Sequence, residues 1–174
     1  MKRIKTRTAA LLGLLTALCF ALSYIEVLVP FAFPGVPGIK LGLANICVMA
    51  ALWLVGAKEA AGVNLVRIIL GWLIFGSFTG LLYSLAGGAL SFLCMIILKK
   101  MGLFSPIGIS AAAGAAHNIG QLAAAALLTD AGALLWYLPV LIAAGTLTGA
   151  VNGIILTAIL KSVSGKDLKN DKKT

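Results

Sequence analysis

Apolar stretches of membrane-spanning length fill most of the chain, and short polar or proline- and glycine-containing segments separate them. A transmembrane helix needs about 20 mostly apolar residues, with a tolerated range of roughly 17 to 25. By this measure the predicted spans cover about residues 8–29, 41–57, 60–76, 80–98, 107–128 and 134–160. The apolar stretch at 60–98 would be about 58 Å long as a single helix, which is too long for one span. A turn near Gly76 is therefore predicted to divide it into the third and fourth spans. The pattern predicts an all-α integral membrane protein, a six-helix bundle in a single domain over residues 1–174, with a basic tail at 161–174.

Positive charge predicts how these spans are oriented. All but two of the 14 lysines and arginines precede the first span, follow the last span or fall in the second and fourth connections; the exceptions are Lys40 and Arg67. Loops on the cytoplasmic side of a membrane carry this excess of positive charge. Both termini are therefore predicted to be cytoplasmic, and the protein is predicted to lie in the cell membrane.

Composition agrees with lipid as the surrounding medium. Hydrophobic residues make up 61% of the 174 residues and charged residues 11%, whereas a soluble domain is about one quarter charged. The formal net charge of +9 does not form a basic face with interleaved aromatics, so nucleic acid is not a predicted partner. The three cysteines have no CxxC spacing and are interpreted as small buried apolar residues. No metal ion or cofactor is predicted.

A few strongly polar residues fall within the predicted spans, where such groups usually face the bundle interior or a cavity. Arg67 lies in the third span, and His117, Asn118 and Gln121 lie in the fifth. Arg67 is interpreted either as a structural clamp on helix carbonyls or as an anchor for an anion. His117 is interpreted either as a neutral imidazole hydrogen-bonded between helices or as a group that binds substrate or handles protons.

The segment between the first two spans is the most distinctive connection. Glu26 and Asn45 lie at the outer ends of the two predicted spans that it joins, and Glu26 pairs with Lys40 in one interpretation. Its prolines and glycines would form a rigid strap, interpreted as a lid over an outward-facing pocket. The lid residues are Pro34, Gly35, Pro37 and Gly38.

Small residues recur every four positions in three of the spans. In lipid, such stripes let helix backbones approach closely. The stripes are Gly13, Ala17 and Ala21; Gly80, Ser84 and Gly88; and Gly145, Gly149 and Gly153. The last two are interpreted as internal packing faces. The first is also interpreted as a docking face for another membrane subunit.

Two motifs of energy conversion and prenyl chemistry are missing from the sequence. Without a P-loop, the chain is not expected to hydrolyse ATP itself. Its five acidic residues form no aspartate-rich DDxxD pair, which magnesium-diphosphate chemistry requires. The protein is therefore predicted not to be an enzyme.

Three segments together carry a resemblance to a known family. They are Pro34–Asn45 (PGVPGIKLGLAN), Arg67 followed by Gly71 and Phe75-Gly76, and Gly114–Gln121 (GAAHNIGQ). In combination they resemble the Gx transporter family, which is also labelled heptaprenyl diphosphate synthase component I. That family looks similar to the S components of energy-coupling factor (ECF) transporters, which are six-helix proteins of bacterial membranes that bind vitamins.

The resemblance implies a substrate-binding subunit that docks on a transmembrane coupling subunit and two ATPases. The stripe at Gly13 would match the docking face, and the proline- and glycine-rich strap would match the lid. The ligand would be a small vitamin, flavin or isoprenoid-like molecule, held by Asn45, His117, Asn118 and Gln121, with Arg67 deeper. The alternatives are a non-catalytic accessory of prenyl, quinone or flavin-based electron-transfer metabolism, and a stand-alone proton-coupled carrier using Glu26, Arg67 and His117.

Overall fold

Six α-helices and one short 3-10 helix account for nearly all of the residues that the structure describes. It is a computed structural model, and it describes residues 6–28, 42–75 and 78–170. The helices are α1 (Thr6–Leu28), α2 (Asn45–Leu54), α3 (Ala57–Phe75), α4 (Phe78–Met101), α5 (Pro106–Thr129) and α6 (Leu138–Asn170), and the 3-10 helix covers Gly132–Tyr137. The all-α prediction is confirmed. The predicted strap, with Lys40 and the four lid residues, lies outside the described residues.

Three of the described segments are long and apolar enough to cross a membrane, judged by length and composition. They are Thr6–Glu26, Phe78–Met101 and Gly132–Val163. Large apolar side chains on these segments face outward, including Leu14, Leu93 and Leu147, which are 67%, 55% and 69% exposed. Exposing such surfaces to water would be unfavourable. Exposing them to hydrocarbon is not, because lipid tails are as apolar as leucine. These helices are those of a membrane protein.

The second helix is much shorter than the predicted span at 41–57. Its ten residues extend about 15 Å, half of a hydrocarbon core about 30 Å thick. Glycines in conformations that disfavour other residues flank it, with φ of +70° at Gly42 and +153° at Gly56. Residues 45–52 are all buried, so α2 is an internal half-helix with no lipid-facing stripe along that part.

A contact from a lysine ammonium group fixes the end of α2. Lys99, near the end of α4, donates a hydrogen bond to the carbonyl oxygen of Leu52 at 2.6 Å. The same ammonium group lies 4.6 Å from the centre of the Trp53 ring, within the range of a cation–π interaction. One of the carbonyls that a helix end leaves unbonded is thereby satisfied.

Helices α4, α5 and α6 pack through glycines. A Cβ on Gly120 would lie 2.7 Å from the carbonyl oxygen of Ala86 on α4, and one on Gly145 would lie 2.5 Å from that of Gly114 on α5. Gly149 also faces the α5 backbone, at Ser110. The interpretation of the last stripe as an internal packing face is therefore confirmed. Backbones in contact gain dispersion energy that bulkier residues would prevent.

Local signals placed α5 accurately. Ser105 is its N-cap, where the hydroxyl oxygen accepts a hydrogen bond from the Gly108 N–H at 3.2 Å, and Pro106 occupies the first turn. Asp130 ends the helix in a left-handed conformation, with φ of 51°. The predicted span at 107–128 matches this helix to within one residue at each end, because capping residues bound it on both sides.

Candidate functional site

A polar crevice lies where the beginning of α2 meets α5 and α6. The space open to the centre of a water molecule is about 10 Å³, roughly what one buried water requires. Its lining combines amide, hydroxyl and imidazole groups with four glycines. The lining residues are Gly42, Asn45, Ser110, Gly114, His117, Asn118, Gly145, Thr148, Gly149 and Asn152.

Hydrogen bonds hold the start of α2 against this crevice. The Asn152 Nδ2 group on α6 donates to the carbonyl oxygen of Gly42 at 2.8 Å. Behind it, the Leu43 N–H donates to the carboxylate Oε1 of Glu26 on α1. The Asn45 N–H bonds the Gly42 carbonyl at 2.9 Å, and the next two amides make the same three-residue turn. Because these first N–H groups of α2 are already bonded, they are not donors for a ligand. The polar group that α2 contributes to the crevice is the Asn45 side chain.

On the opposite side, α5 contributes two adjacent buried polar residues. His117 is 4% exposed and Asn118 is 3% exposed. The Asn118 Nδ2 group donates to the Leu141 carbonyl oxygen on α6 at 2.8 Å, while its Oδ1 remains available as an acceptor. His117 also lines the crevice, while its Nδ1 is turned toward α4, where a Cβ on Gly87 would lie 3.1 Å from it. The side-chain amides of Asn45 and Asn118 give the crevice both donor and acceptor groups.

Comparison with known proteins identifies the family of this chain. The family model for heptaprenyl diphosphate synthase component I matches residues 15–159. The chain belongs to this family. The match includes every residue that lines the polar crevice. In the same comparison, no curated protein and no solved structure matches the chain.

In this heptaprenyl diphosphate synthase component I family member, the fold brings together only some of the predicted binding residues. Asn45, His117 and Asn118 line the polar crevice. Glu26 lies behind it, bonded to the entry of α2. Gln121 is turned toward α4, where a Cβ on Gly87 would lie 2.6 Å from its Cγ.

Arg67 does not line the polar crevice. It is buried on α3, at 8% exposure, and its Nη2 donates to Asn64 Oδ1 at 2.7 Å. Asn64 in turn donates to the Gly88 carbonyl oxygen on α4 at 3.3 Å. The arginine thus belongs to a second polar cluster, between α3 and α4.

Three polar crevice residues were absent from the predicted binding set: Ser110, Thr148 and Asn152. A signal for Asn152 existed, because it follows Gly145 and Gly149 by seven and three residues and so shares their helix face. A polar residue on a glycine stripe that packs internally must itself lie inside the bundle. Thr148 resembles many lipid-facing threonines, since its hydroxyl donates to the Ala144 carbonyl of its own helix at 2.9 Å.

The predicted docking stripe on α1 is uncovered. Gly13, Ala17 and Ala21 are all exposed, and a Cβ on Gly13 would meet no atom within 4 Å. By contrast, the glycines of the stripe on α6 are covered by α5. The α1 stripe is therefore free of internal packing in the described part of the chain, and the docking role stays a prediction.

Proposed function

We propose that the protein is the substrate-binding subunit of a membrane transporter, similar to the S component of an ECF transporter. Its ligand is a small, partly apolar molecule such as a vitamin, flavin or isoprenoid-like compound. The ligand occupies the polar crevice, with Asn45, His117 and Asn118 as its hydrogen-bonding partners. The chain crosses a bacterial cytoplasmic membrane six times with both termini inside, and the polar crevice opens toward the outer side.

The observation that carries this proposal is the half-helix α2. A backbone that is not continuously helical is tolerated at membrane depth only where protein buries it or where it borders a cavity. Membrane transporters commonly form substrate sites at such interrupted helices. Here the interruption coincides with the polar crevice, and the Gly42 carbonyl at that point is bonded by Asn152.

The polar crevice must widen before it can hold such a ligand, because its present space suits one water. The separation of α2 from α6 would provide the volume. That movement breaks the bond between Asn152 and Gly42, worth about 0.6 kcal/mol for interhelical bonds in membranes. Hydrogen bonds from ligand to the freed groups would offset this loss.

Energy for transport would come from partner subunits. A transmembrane coupling subunit and ATPases would supply it, since the sequence has no P-loop. The exposed stripe at Gly13, Ala17 and Ala21 supports docking on such a subunit, because small residues permit close helix contact.

The family name favours a second candidate function. A protein described as component I of heptaprenyl diphosphate synthase would act with another subunit in prenyl metabolism. With no DDxxD pair in its sequence, this chain would be the non-catalytic membrane accessory. In that case the partner is a soluble prenyl synthase subunit, and the polar crevice holds only water.

Native mass spectrometry of the gently solubilised protein tests both candidates in one measurement. The transporter proposal expects a retained small molecule together with a coupling subunit or ATPases. Thr148→Val removes a hydroxyl from the polar crevice and should lower the retained fraction. Thr146→Val, the matched control, removes an exposed hydroxyl on the same helix, one that donates to the Ile142 carbonyl, and should leave the retained fraction unchanged.

The other outcomes are equally informative. A prenyl synthase subunit without a small molecule would support the accessory function. The absence of any retained molecule, coupling subunit and ATPase would refute the transporter proposal.

A further inference from the structure

An open groove, the α1–α3 groove, runs between helices α1 and α3. It offers about 350 Å³, which is within the range of sites that bind small molecules. Gly62 leaves part of this space open, because a Cβ there would meet no atom within 4 Å. The lining residues are Leu12, Thr16, Lys58, Glu59, Gly62, Val63 and Val66, and none of them lines the polar crevice.

Charged and apolar groups occupy different parts of the α1–α3 groove. Glu59 lies in the first turn of α3, and its Oε2 atom lies next to Gly56, where a Cβ would be 2.9 Å away. The positions three, four and seven residues later share the helix face of Glu59, and they hold Gly62, Val63 and Val66. This wall of the groove therefore changes from charged to apolar over about 10 Å of helix.

The α1 wall of the groove adds no free donor. The hydroxyl of Thr16 donates to the Leu12 carbonyl oxygen of its own helix at 2.8 Å, and a hydroxyl has only one proton to donate. Exposed leucines lie close to the lining residues in sequence on both helices, with Leu14 on α1 67% exposed and Leu65 on α3 50% exposed. Since lipid faces such surfaces, a ligand in the groove is expected to have an apolar part that continues into the lipid.

Two opposite charges at the start of α3 can contact such a ligand. Lys58 is exposed and Glu59 is half-buried. Adjacent residues on a helix do not face each other, and within the part of the chain that the structure describes neither side chain forms an ion pair. A ligand that is only an anion would meet the Glu59 carboxylate, and a ligand that is only a cation would meet the Lys58 ammonium group. A zwitterion carries a charge to match each of them.

Phosphate and a primary ammonium group are the two charges that fit this end of the groove. The first N–H groups of a helix have no intrahelical acceptor, and together with Lys58 they favour phosphate at the start of α3. A primary ammonium group has N–H donors for the Glu59 carboxylate, whereas a trimethylated ammonium group has none. Phosphoethanolamine, the headgroup of phosphatidylethanolamine, carries both charges.

We propose that the α1–α3 groove binds phosphatidylethanolamine from the surrounding membrane. The ammonium group of the lipid donates to the Glu59 carboxylate, and its phosphate accepts from Lys58. An acyl chain lies against Val63 and Val66. This site is separate from the polar crevice and does not rest on the proposed transporter role, because it requires only that lipid surrounds the helices.

Native mass spectrometry of the full chain in a mild detergent tests this proposal with lipids that share the same acyl chains. A methylation series runs from phosphatidylethanolamine through its monomethylated and dimethylated forms to phosphatidylcholine, and phosphatidylglycerol is compared with them. The native protein should retain phosphatidylethanolamine about three- to fivefold more than phosphatidylcholine, the range expected for a partly exposed ion pair. Retention should decrease along the series, because each methyl group removes one N–H donor. The series needs no substitution, so it decides the proposal even where a variant fails to fold.

Four variants assign the retained lipid to the α1–α3 groove. Glu59→Gln keeps the size of the side chain without its charge, and should bring the ratio of retained phosphatidylethanolamine to phosphatidylcholine to about one, the loss of one ion pair. Lys58→Gln and Gly62→Leu should lower the retention of both lipids, since the first removes the contact to phosphate and the second fills the groove. Lys100→Gln removes a cation in the last turn of α4, outside the groove, and should change neither retention nor ratio.

Equal retention of phosphatidylethanolamine and phosphatidylcholine by the native protein, or an undiminished preference in Glu59→Gln, would overturn the proposal. A preference for phosphatidylglycerol that is lost in Lys58→Gln would also overturn it, because that result would indicate a site for an anion alone.

Discussion

Replacing Gly145 by alanine adds one methyl group where α5 and α6 meet through backbone atoms. The new Cβ would lie 2.5 Å from the Gly114 carbonyl oxygen and 2.8 Å from Asn118 Nδ2. The first neighbour is main chain and cannot rotate away, so the two helices must separate. Overpacking of this kind costs roughly 1–3 kcal/mol. Displacement of Asn118 from the Leu141 carbonyl would add about 0.6 kcal/mol.

The free energy of unfolding in sodium dodecyl sulfate titrations, followed by far-ultraviolet circular dichroism, measures this loss. Gly71→Ala is the matched control, because a Cβ on Gly71 would meet no atom within 4 Å. It should leave the unfolding free energy unchanged or raise it slightly, since alanine favours helix over glycine. A Gly145→Ala protein that unfolds like Gly71→Ala would show that α5 and α6 are not in backbone contact.

Two further substitutions test how α2 is held at its two ends, with the same unfolding measurement. Glu26→Ala leaves the Leu43 N–H without its acceptor and should cost about 1–3 kcal/mol, whereas Glu26→Gln keeps an oxygen at that position and should cost less; equal losses would contradict the bond. Lys99→Met removes the contacts to the Leu52 carbonyl and the Trp53 ring and should cost about 0.5–1 kcal/mol, while Lys99→Arg should retain most of the stability. A Lys99→Met protein as stable as the native chain would show that these two contacts do not stabilise the end of α2.

The predicted binding residues illustrate how far helical spacing reaches. The sequence prediction groups His117, Asn118 and Gln121 because they are close in one span, and the first two do share the polar crevice. Gln121 follows His117 by one turn and both residues lie against Gly87 on α4, but Gln121 does not line the polar crevice. Spacing along a helix predicts which residues share a face of that helix. It does not predict which neighbouring helix packs against each part of the face.

The amino-acid sequence by itself determined where most of the helices lie, although not the length of α2, because apolar length and capping residues such as Ser105 and Asp130 act locally. It also determined that lipid surrounds them, since the apolar fraction of 61% leaves too little polar surface for water. Only the tertiary structure decided that α2 is a buried half-helix, that Asn152 rather than Gln121 completes the polar crevice, and that Arg67 lies apart from it. These outcomes depend on contacts between residues distant in the chain, such as the bond from Asn152 to Gly42 across 110 positions, and no local pattern encodes which helices become neighbours.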